Sequence, residues 1–379
     1  MRTYFMRAAG AVVAVAALAA FGLAHGGGAG AAAATGSPTA GQAAKVPAGF
    51  QLASASFRSA ASGVVLGGVG CTPSHVCPAL LAATADGGAH WHLVAGPDVW
   101  ITEPAAVGSR PQVNQVVFAS GRDGWLYDQY DSPRLWATHD GGAHWRATSL
   151  SGDIETMAAS AGTVYAVVRH GAYGELFSSP ASHDAWARVG TMTGSNLAVF
   201  GKAAWFGTST AGTSTYLWAT ADGAHWRKYP FSCPAGLGLG GIAAASSWQV
   251  AFLCGASEGT YHSAKEVLLS VNGGRTEHLT GQAPIAGDVA GFAVPPSRAA
   301  VITIAVITPG LSYLYRSANG GKTWAEIAVS SLTGGVSFTS LSYVSPTVGW
   351  VVISQPGIPG LHQLLRTSDA GRTWHAARF

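Results

Sequence analysis

Short apolar runs separated by polar turn sequences make up the chain from Phe50 to Phe379. One kind of run directly precedes an Asp/Asn-Gly tract, as Leu80–Ala83 and Tyr313–Arg316 do, and a second short run such as His92–Val94 follows the tract. This order is typical of a β-hairpin. Gly adopts positive φ without a Cβ clash, and the Asp or Asn side chain accepts backbone N–H bonds within the turn. The pattern therefore predicts strand–turn–strand units.

The tract recurs seven times, which makes the repeat the dominant feature of the sequence. In five copies an Asp or Asn is followed within two residues by Gly and then by Trp; Asn272–Glu277 and His183–Trp186 are weaker copies. The turn residues are Asp86, Asp140, Asp222, Asn272, Asn319 and Asp369, with Trp91, Trp145, Trp226, Trp324 and Trp374 closing the strong copies. Each Trp is expected to seal its hairpin against a neighbour. A turn repeated in every unit cannot converge on one ligand, so these positions are predicted to be structural.

A second pattern lies upstream of each tract and adds two strands to every unit. Phe118–Tyr127 matches Tyr343–Val352, with Trp125 and Trp350 in equivalent places. The residues expected at that place in the other five units are Val64, Tyr165, Trp205, Trp248 and Val301. Seven four-stranded units with no linker between them predict an all-β fold. This is a single seven-bladed β-propeller of four-stranded antiparallel blades over residues 50–379.

The Asp-Gly-Gly-x-x-Trp tracts resemble the Asp-box, or BNR, repeat of sialidases, xyloglucanases and sortilin-type receptors. With the Gly-Trp strand motif added, the chain looks more like the photosystem II stability/assembly factor family and its relatives in non-photosynthetic bacteria. The resemblance covers all seven units and implies a propeller of the WD40/YVTN/BNR-like type. It implies no particular activity, because this repeat supports enzymes and binding proteins alike.

The four-strand order assigns different loops to the two faces of the ring. Turns between first and second strands, and between third and fourth strands, share one face and are short. The connections on the other face are longer: Gly70–Pro78, Gly96–Pro111, Asp128–Arg134, Arg169–Gly174, Gly255–Lys265 and Gln355–His362. Binding residues usually lie on such variable loops. Two modes of ring closure stay open: packing of the last blade on the first, or completion of the last blade by Phe50–Phe57.

Aromatic, acidic and basic side chains on the longer loops are the candidate binding residues. They are Trp100, Glu103, Asp128, Tyr130, Asp131, Arg134, Arg169, Tyr173, Tyr261 and His262. Such a set suits stacking on sugars or peptides and hydrogen bonding to them. An ordinary polar loop surface is the alternative interpretation.

The N-terminus is typical of an export signal. Arg2 and Arg7 flank the start of the apolar run Ala8–Ala24, and small residues suited to cleavage follow. We expect residues 1–34 to be a signal peptide, with a retained membrane anchor as the alternative, and residues 35–49 to be a flexible linker. The expected location is therefore secreted or extracytoplasmic. Charged residues make up only 10% of the chain and no basic run follows the signal, so nucleic acid is not an expected partner.

Four cysteines in an exported chain predict two disulfides, Cys71–Cys77 and Cys233–Cys254, with four buried thiols as the alternative. No Cys-x-x-Cys spacing occurs, so neither a metal site nor a cofactor is expected. Gly-x-Ser-x-Gly, His-Glu-x-x-His and phosphate-binding Gly loops are also absent. The Arg-Ile-Pro motif that a resemblance to sialidases would imply is missing too, and Arg58 is at best a faint echo of it.

These observations favour an exported, non-catalytic and monomeric propeller. Its expected ligand is a protein, a peptide or a cell-surface glycan, bound through the face with the longer loops. One alternative is a glycoside hydrolase of the sialidase-like superfamily, which would need two carboxylates or an Arg trio converging at the central pore. A second alternative is a structural protein of the cell envelope.

Overall fold

The computed structural model describes residues 44–71, 77–101, 111–129, 132–171, 173–207, 215–257, 262–308, 312–328, 337–354 and 363–379. The predicted signal peptide and residues 35–43 of the predicted linker lie outside this part of the chain. Within it, no helix is long and apolar enough to cross a membrane. Residues 44–49 are tied to the fold, because Ala44 O accepts a hydrogen bond from Leu93 N (2.8 Å) and Lys45 forms a β-bridge with His92.

All named elements of the described residues are β-strands. In chain order they are β1 (Phe50–Phe57), β2 (Gly63–Val69), β3 (Cys77–Pro78), β4 (Leu80–Thr84), β5 (His92–Val94), β6 (Trp100–Ile101), β7 (Gln112–Val113), β8 (Gln115–Phe118), β9 (Gly124–Tyr127), β10 (Arg134–Thr138), β11 (Arg146–Ser149), β12 (Asp153–Ser160), β13 (Thr163–His170), β14 (Tyr173–Pro180), β15 (Ala187–Thr193), β16 (Asn196–Phe200), β17 (Ala203–Gly207), β18 (Thr215–Thr220), β19 (Trp226–Phe231), β20 (Gly238–Ala244), β21 (Val250–Ser257), β22 (Ser263–Ser270), β23 (His278–Gln282), β24 (Asp288–Ala293), β25 (Ile302–Ile307), β26 (Ser312–Ser317), β27 (Ala325–Ala328), β28 (Ser337–Tyr343), β29 (Gly349–Ser354), β30 (Gln363–Thr367) and β31 (His375–Ala376).

Seven four-stranded antiparallel sheets contain all but three of these strands. Sheet 1 has the order β1-β2-β4-β5, and sheets 2 to 7 follow as β8 to β11, β12 to β15, β16 to β19, β20 to β23, β24 to β27 and β28 to β31. Within each sheet the first to fourth strands are neighbours in chain order, which confirms the predicted four-strand unit. The remaining strands, β3, β6 and β7, form a small three-stranded sheet from two connections next to sheet 1.

The first strands of the seven sheets contact one another in a closed cycle: β1, β8, β12, β16, β20, β24, β28 and again β1. Burial falls from the axis outward. The first strand β16 is buried along its whole length, whereas the fourth strand β11 is largely exposed. Sheets arranged radially in this way are the β-propeller architecture, and the all-β expectation is confirmed.

The ring closes by packing, without a shared strand. Phe50–Phe57 pairs with β2 inside sheet 1, so the expectation that it might complete the last blade is wrong. Phe57 instead stacks on Trp350 of sheet 7, with ring centroids 3.8 Å apart. Phe379 packs against Phe50 and Trp91 of sheet 1, at 5.4 and 5.0 Å. Apolar contact between the two ends of the chain therefore holds the first and last sheets together.

The repeated turn between the third and fourth strands is held by a buried hydroxyl as well as by its Asp or Asn. In sheet 2, Thr138 Oγ1 donates to Asp140 Oδ1 (2.9 Å) and accepts from Gly142 N (2.8 Å), while His144 N donates to Asp140 Oδ1 (2.9 Å). Gly141 and Gly142 have φ of 81° and 95°, which explains the two glycines. The other hydroxyls in this role are Thr84, Thr220, Ser270, Ser317 and Thr367.

Aromatic side chains of the second strands dock on the repeat turn of the following sheet. Trp125 Nε1 donates to Asp184 Oδ1 (3.2 Å), and Trp205 Nε1 donates to Gly273 O (2.9 Å). The Tyr165 hydroxyl lies against Gly223, and burial together with the Asp222 carboxylate raises the pKa of this tyrosine to about 12. These contacts cross from one sheet to the next. Glycines of the turn leave room for the rings of Tyr165 and Trp205, whereas the turn that receives Trp125 contains no glycine.

Trp248 does not belong to this set. Backbone N–H of Ala245 bonds Gln249 O, so the second strand of sheet 5 begins at Val250 and Ala251 occupies the place that Trp125 has in sheet 2. Trp248 lies in the preceding turn and is 55% exposed. The expected equivalence is therefore wrong, because Ser-Ser-Trp belongs to the turn and not to the strand.

Replacing Thr138 by Val should lower the free energy of unfolding by about 1–3 kcal/mol, because Gly142 N–H loses its acceptor in a buried site. Thr138 is 1% exposed. The same substitution at Thr148, half-buried in β11, is the matched control and should be nearly neutral. Urea unfolding of both variants measures the difference. Equal stabilities would show that the hydroxyl has no structural role.

Replacing Trp205 by Ala should cost about 3–5 kcal/mol, because the ring is 1% exposed and lies at the interface of sheets 4 and 5. Replacing Trp248 by Ala should change stability by about 0.5 kcal/mol or less, as expected for an exposed side chain. Thermal and urea unfolding compare the two variants. A large loss of stability in the Trp248 variant would contradict the position of this residue in the exposed turn before β21.

Candidate functional site

The ring has two unlike faces. We define the turn face by the turns between first and second strands and the repeat turns, and the loop face by all other connections. The short turns on the turn face are occupied by structural hydrogen bonds. The loop face carries the small sheet β3-β6-β7 and both disulfides, Cys71–Cys77 and Cys233–Cys254, which are confirmed. The second disulfide joins the connection after β19 to β21.

Register shifts occur near the loop-face end of five of the seven first strands. They lie between Leu52 and Ser54, Ile154 and Thr156, Leu239 and Gly241, Val289 and Gly291, and Thr339 and Ser342. A β-bulge leaves a residue unpaired and redirects its side chain, and bulges are enriched beside functional sites. The bulged residues of sheets 1, 3 and 7 include Ala53, Glu155 and Ser340. A ring of redirected residues thus marks one end of the central channel.

Polar groups form a hydrogen-bonded chain across this end of the channel. Ser340 Oγ lies 3.4 Å from Ser54 Oγ, which donates to Gln115 Oε1 (3.1 Å). Gln115 Nε2 donates to Gln129 Oε1 (3.1 Å), and Gln129 Nε2 donates to Glu155 O (2.7 Å). The chain links sheets 7, 1, 2 and 3. We call these five residues the channel chain.

Side-chain hydroxyl groups accept hydrogen bonds from backbone N–H groups at the edges of the first strands that face the axis. Phe118 N donates to Ser56 Oγ (2.9 Å), and Met157 N donates to Tyr127 OH (3.2 Å). Capping of this kind satisfies buried donors and protects a strand edge from pairing with another chain. A cavity between β1, β8 and β28 lies here, lined by Ser54, Ala55, Ser56, Phe57, Gln115, Val116, Val117, Tyr127, Ser340 and Ser342. Its polar groups are hydroxyls and amides, and its volume of about 20 Å³ has room for one water molecule.

Charged groups gather at the loop-face end of sheet 3. Arg169 Nη2 lies 3.5 Å from Asp153 Oδ2. Glu175 lies near two basic side chains, with His170 Nε2 at 3.6 Å and Arg188 Nη1 at 3.4 Å. They set a mixed-charge surface beside the channel chain.

The structure distributes the predicted binding residues over several sheets. Trp100 lies half-buried in β6, Arg134 is exposed at the start of β10, and His262 is exposed beside sheet 5. Arg169 and Tyr173 both belong to sheet 3, where Tyr173 is 57% exposed. Four further predicted residues lie outside the described part of the chain: Glu103, Tyr130, Asp131 and Tyr261. Among the residues that can be placed, only the pair in sheet 3 is brought close together by strand pairing.

The structure differs from the sequence-based picture at two of these places. Asp128 is 4% exposed and accepts a hydrogen bond from Asn114 Nδ2 (2.8 Å), so its carboxylate lies inside the fold and not on an open loop. Arg169–Gly174 is not a long loop, because β13 and β14 pair as far as His170 and Tyr173. Arg169 and Tyr173 are therefore held on a rigid hairpin, which fixes their positions better than a loop would.

The channel chain was missed at the sequence level. Ser54, Gln115 and Gln129 fall in apolar or polar runs with no motif, and Glu155 reads as an ordinary strand residue. Only the bulges and the contacts between sheets bring them together. No local sequence signal could have identified them.

The first strands carry few groups suited to hydrolysis. Their acidic residues are Asp153 and Glu155 in β12 and Asp288 in β24, and none of the seven strands contains Arg. The Arg trio that a sialidase-like mechanism needs is therefore not on the strands around the axis. In the part of the chain that the structure describes, no group of three His, Cys, Asp or Glu could hold a metal ion.

Solved structures with a similar fold include two of YCF48. The chain matches YCF48 bound to D1 peptide with 19% identity and a TM-score of 0.53, over 86% of this chain and 94% of that one. It matches YCF48 from Cyanidioschyzon merolae with 15% identity and a TM-score of 0.53, over 88% and 99%. Pyrococcus horikoshii acylaminoacyl peptidase matches with 7% identity and a TM-score of 0.53, over 87% of this chain and 52% of that one. No protein-family model and no curated protein matches the chain. At these identities the likeness establishes the β-propeller fold alone.

Proposed function

We propose that this protein is an exported, non-catalytic propeller that binds a peptide or an extended protein segment through its loop face. The observation that carries the proposal is the channel chain, a run of hydroxyl and amide groups at the loop-face end of the channel. Its groups offer donors and acceptors of the kind that a peptide backbone uses. The mixed charges of sheet 3 lie beside it and would add selectivity for side chains.

The comparison with YCF48 supports a peptide over a glycan as the ligand. That protein was solved bound to D1 peptide, and it shares the fold of this chain over most of both lengths. A glycosidase needs two carboxylates facing each other across its site, whereas the described first strands carry acidic residues only in β12 and β24. We therefore place peptide binding first and glycan binding second.

Export and blade number are part of the same proposal. Two disulfides favour an oxidising compartment, in agreement with the apolar N-terminal run that predicts a signal peptide. We take the seven four-stranded sheets to be the complete set of blades, because their first strands already close a cycle. In this proposal the repeat turns are Asp-box turns with a structural role in each blade that contains the Asp/Asn-Gly tract.

A peptide array probed with the chain lacking only residues 1–34 should identify ligands, and Tyr173→Ala and Arg134→Ala should weaken their binding at least tenfold. These residues are exposed on the loop face. The matched controls are Trp248→Ala and Arg122→Ala, which are exposed on the turn face and should leave affinity unchanged. Affinities are measured by calorimetry.

Two results would overturn the proposal. Turnover in a panel of glycosidase substrates without peptide binding would favour a hydrolase. Loss of binding in the turn-face variants alone would place the ligand on the turn face and contradict the proposal.

A further inference from the structure

The cations of the turn face are concentrated on sheets 5, 6 and 7. The turns of these three sheets on that face carry four Lys or Arg residues and two carboxylates, whereas the turns of sheets 1 to 4 carry three Lys or Arg residues and five carboxylates. All four cations of sheets 5 to 7 are exposed, and they are Arg275, Arg298, Lys322 and Arg372. We call these four residues the basic arc.

Three of the four cations occupy the same place in the repeat turn. Arg275, Lys322 and Arg372 each come three residues after the turn Asn or Asp, where the turns of sheets 1 and 2 have Ala. In sheets 5 and 6 the turn residue is also Asn, whereas it is Asp in sheets 1, 2 and 4. Because the blades repeat, equivalent positions lie at the same level of the ring, so the three cations form a row along one side of the turn face.

The two carboxylates in these turns are engaged within the fold. Asp369 accepts hydrogen bonds from Arg372 N (2.9 Å), Thr373 N (3.0 Å) and Thr373 Oγ1 (2.7 Å). Glu277 is half-buried and accepts a backbone hydrogen bond from Ser232. Among the residues that the structure describes, none forms an ion pair with a cation of the basic arc. The charges of the arc therefore face solvent and can attract an anionic partner.

Hydrogen bonds between sheets hold these turns in place as one surface. Ser297 N donates to Ala245 O across sheets 5 and 6 (2.7 Å). Arg316 Nε donates to Ala370 O across sheets 6 and 7 (2.6 Å). The backbone that carries the basic arc is thus ordered before any partner arrives, which lowers the entropic cost of docking.

Two exposed apolar side chains extend this surface on sheet 5. Trp248 is 55% exposed and Val271 is 67% exposed. Their turns are joined, because Gly273 N donates to Trp248 O (2.8 Å), and Arg275 Cζ lies 5.9 Å from the centroid of the Trp248 ring. An exposed Trp beside a cation suits the membrane–water interface, where the ring lies at the level of the lipid headgroups and the cation meets phosphate. A soluble acidic chain would match the charges but not these apolar side chains.

We propose that this protein docks on an anionic lipid membrane through the basic arc, with Trp248 and Val271 entering the headgroup region. The surface fits a flat partner, because its cations and its apolar side chains all lie on turns at the same end of the strands. In this orientation the opposite loop face stays open to solution. The inference goes beyond the proposed function and does not rest on it, because the two surfaces lie on opposite faces of the ring.

The test is co-sedimentation of the chain lacking only residues 1–34 with vesicles of phosphatidylglycerol and phosphatidylcholine in equal parts, or of phosphatidylcholine alone. We expect binding to the mixed vesicles only. It should be lost as the salt concentration rises from about 0.1 to 1 M, because the Debye length falls from about 10 to 3 Å. The triple variant Arg275→Gln, Lys322→Gln, Arg372→Gln should bind at least tenfold more weakly, since each cation near an anionic surface strengthens binding roughly fivefold.

The matched control is the triple variant Arg122→Gln, Arg146→Gln, Lys202→Gln. It removes the same charge from exposed sites on sheets 2 and 4 and should leave binding to the mixed vesicles unchanged. Trp248→Ala should weaken vesicle binding severalfold without changing its salt dependence, because it removes an apolar contact and no charge. Equal melting temperatures of the variants show that the fold is intact, and equal peptide affinities show that the loop face is unaffected.

Four results would overturn the inference. Equal losses in the two triple variants would mean general attraction to charge and not docking through the basic arc. Binding of soluble polyglutamate as tight as that of the vesicles, and insensitive to Trp248→Ala, would assign the arc to an acidic polymer. Binding to phosphatidylcholine alone that survives high salt would remove the role of the cations. Failure to bind either kind of vesicle would refute membrane docking and leave the proposed peptide binding standing.

Discussion

Packing of each sheet against the next is the interaction on which the rest of the structure depends. Every one of the seven apolar clusters joins residues of two consecutive sheets, and the cluster of sheets 7 and 1 completes the circle. No blade has a core of its own, because a single four-stranded sheet cannot cover both of its faces. Buried rings such as Trp125, Trp205 and Trp350 fill these interfaces. The repeat turn of the next sheet receives these rings, and its glycines leave space for Trp205 and Trp350.

Because of this constraint, the turn face serves stability, and the loop face is the one we propose for peptide binding. The turn face is committed to holding rings and closing hairpins, so its Asp, Asn and Trp residues have little left to offer a ligand. Hydrogen bonds from the His144 backbone and side chain lower the pKa of Asp140, so this carboxylate is kept ionised for its own turn. The connections on the loop face do not have to hold these rings or close these hairpins. The first strands reach this face with bulges, and there the channel chain meets the charged end of sheet 3.

The sequence was sufficient for the repeat, the four-strand unit, the two faces and both disulfides, because each of these follows from local pattern or from spacing. It failed where the answer depends on distant residues. Trp248 resembles the buried tryptophans, but one backbone hydrogen bond from Ala245 shifts it into a turn. Asp128 looks like a loop carboxylate, yet Asn114 holds it inside. Glu155 joins the channel chain only through its bulge and the hydrogen bond from Gln129, which no period in the sequence encodes.

Hydrogen–deuterium exchange with a bound peptide tests this division most directly. The account predicts slower exchange at the loop-face ends of the first strands, above all around Gln129 and Glu155, and in the hairpin that carries Tyr173. Exchange in the seven repeat turns should stay as it is in the free protein. Protection of the repeat turns, with the channel end unchanged, would contradict the claim that the turn face is scaffold and the loop face binds.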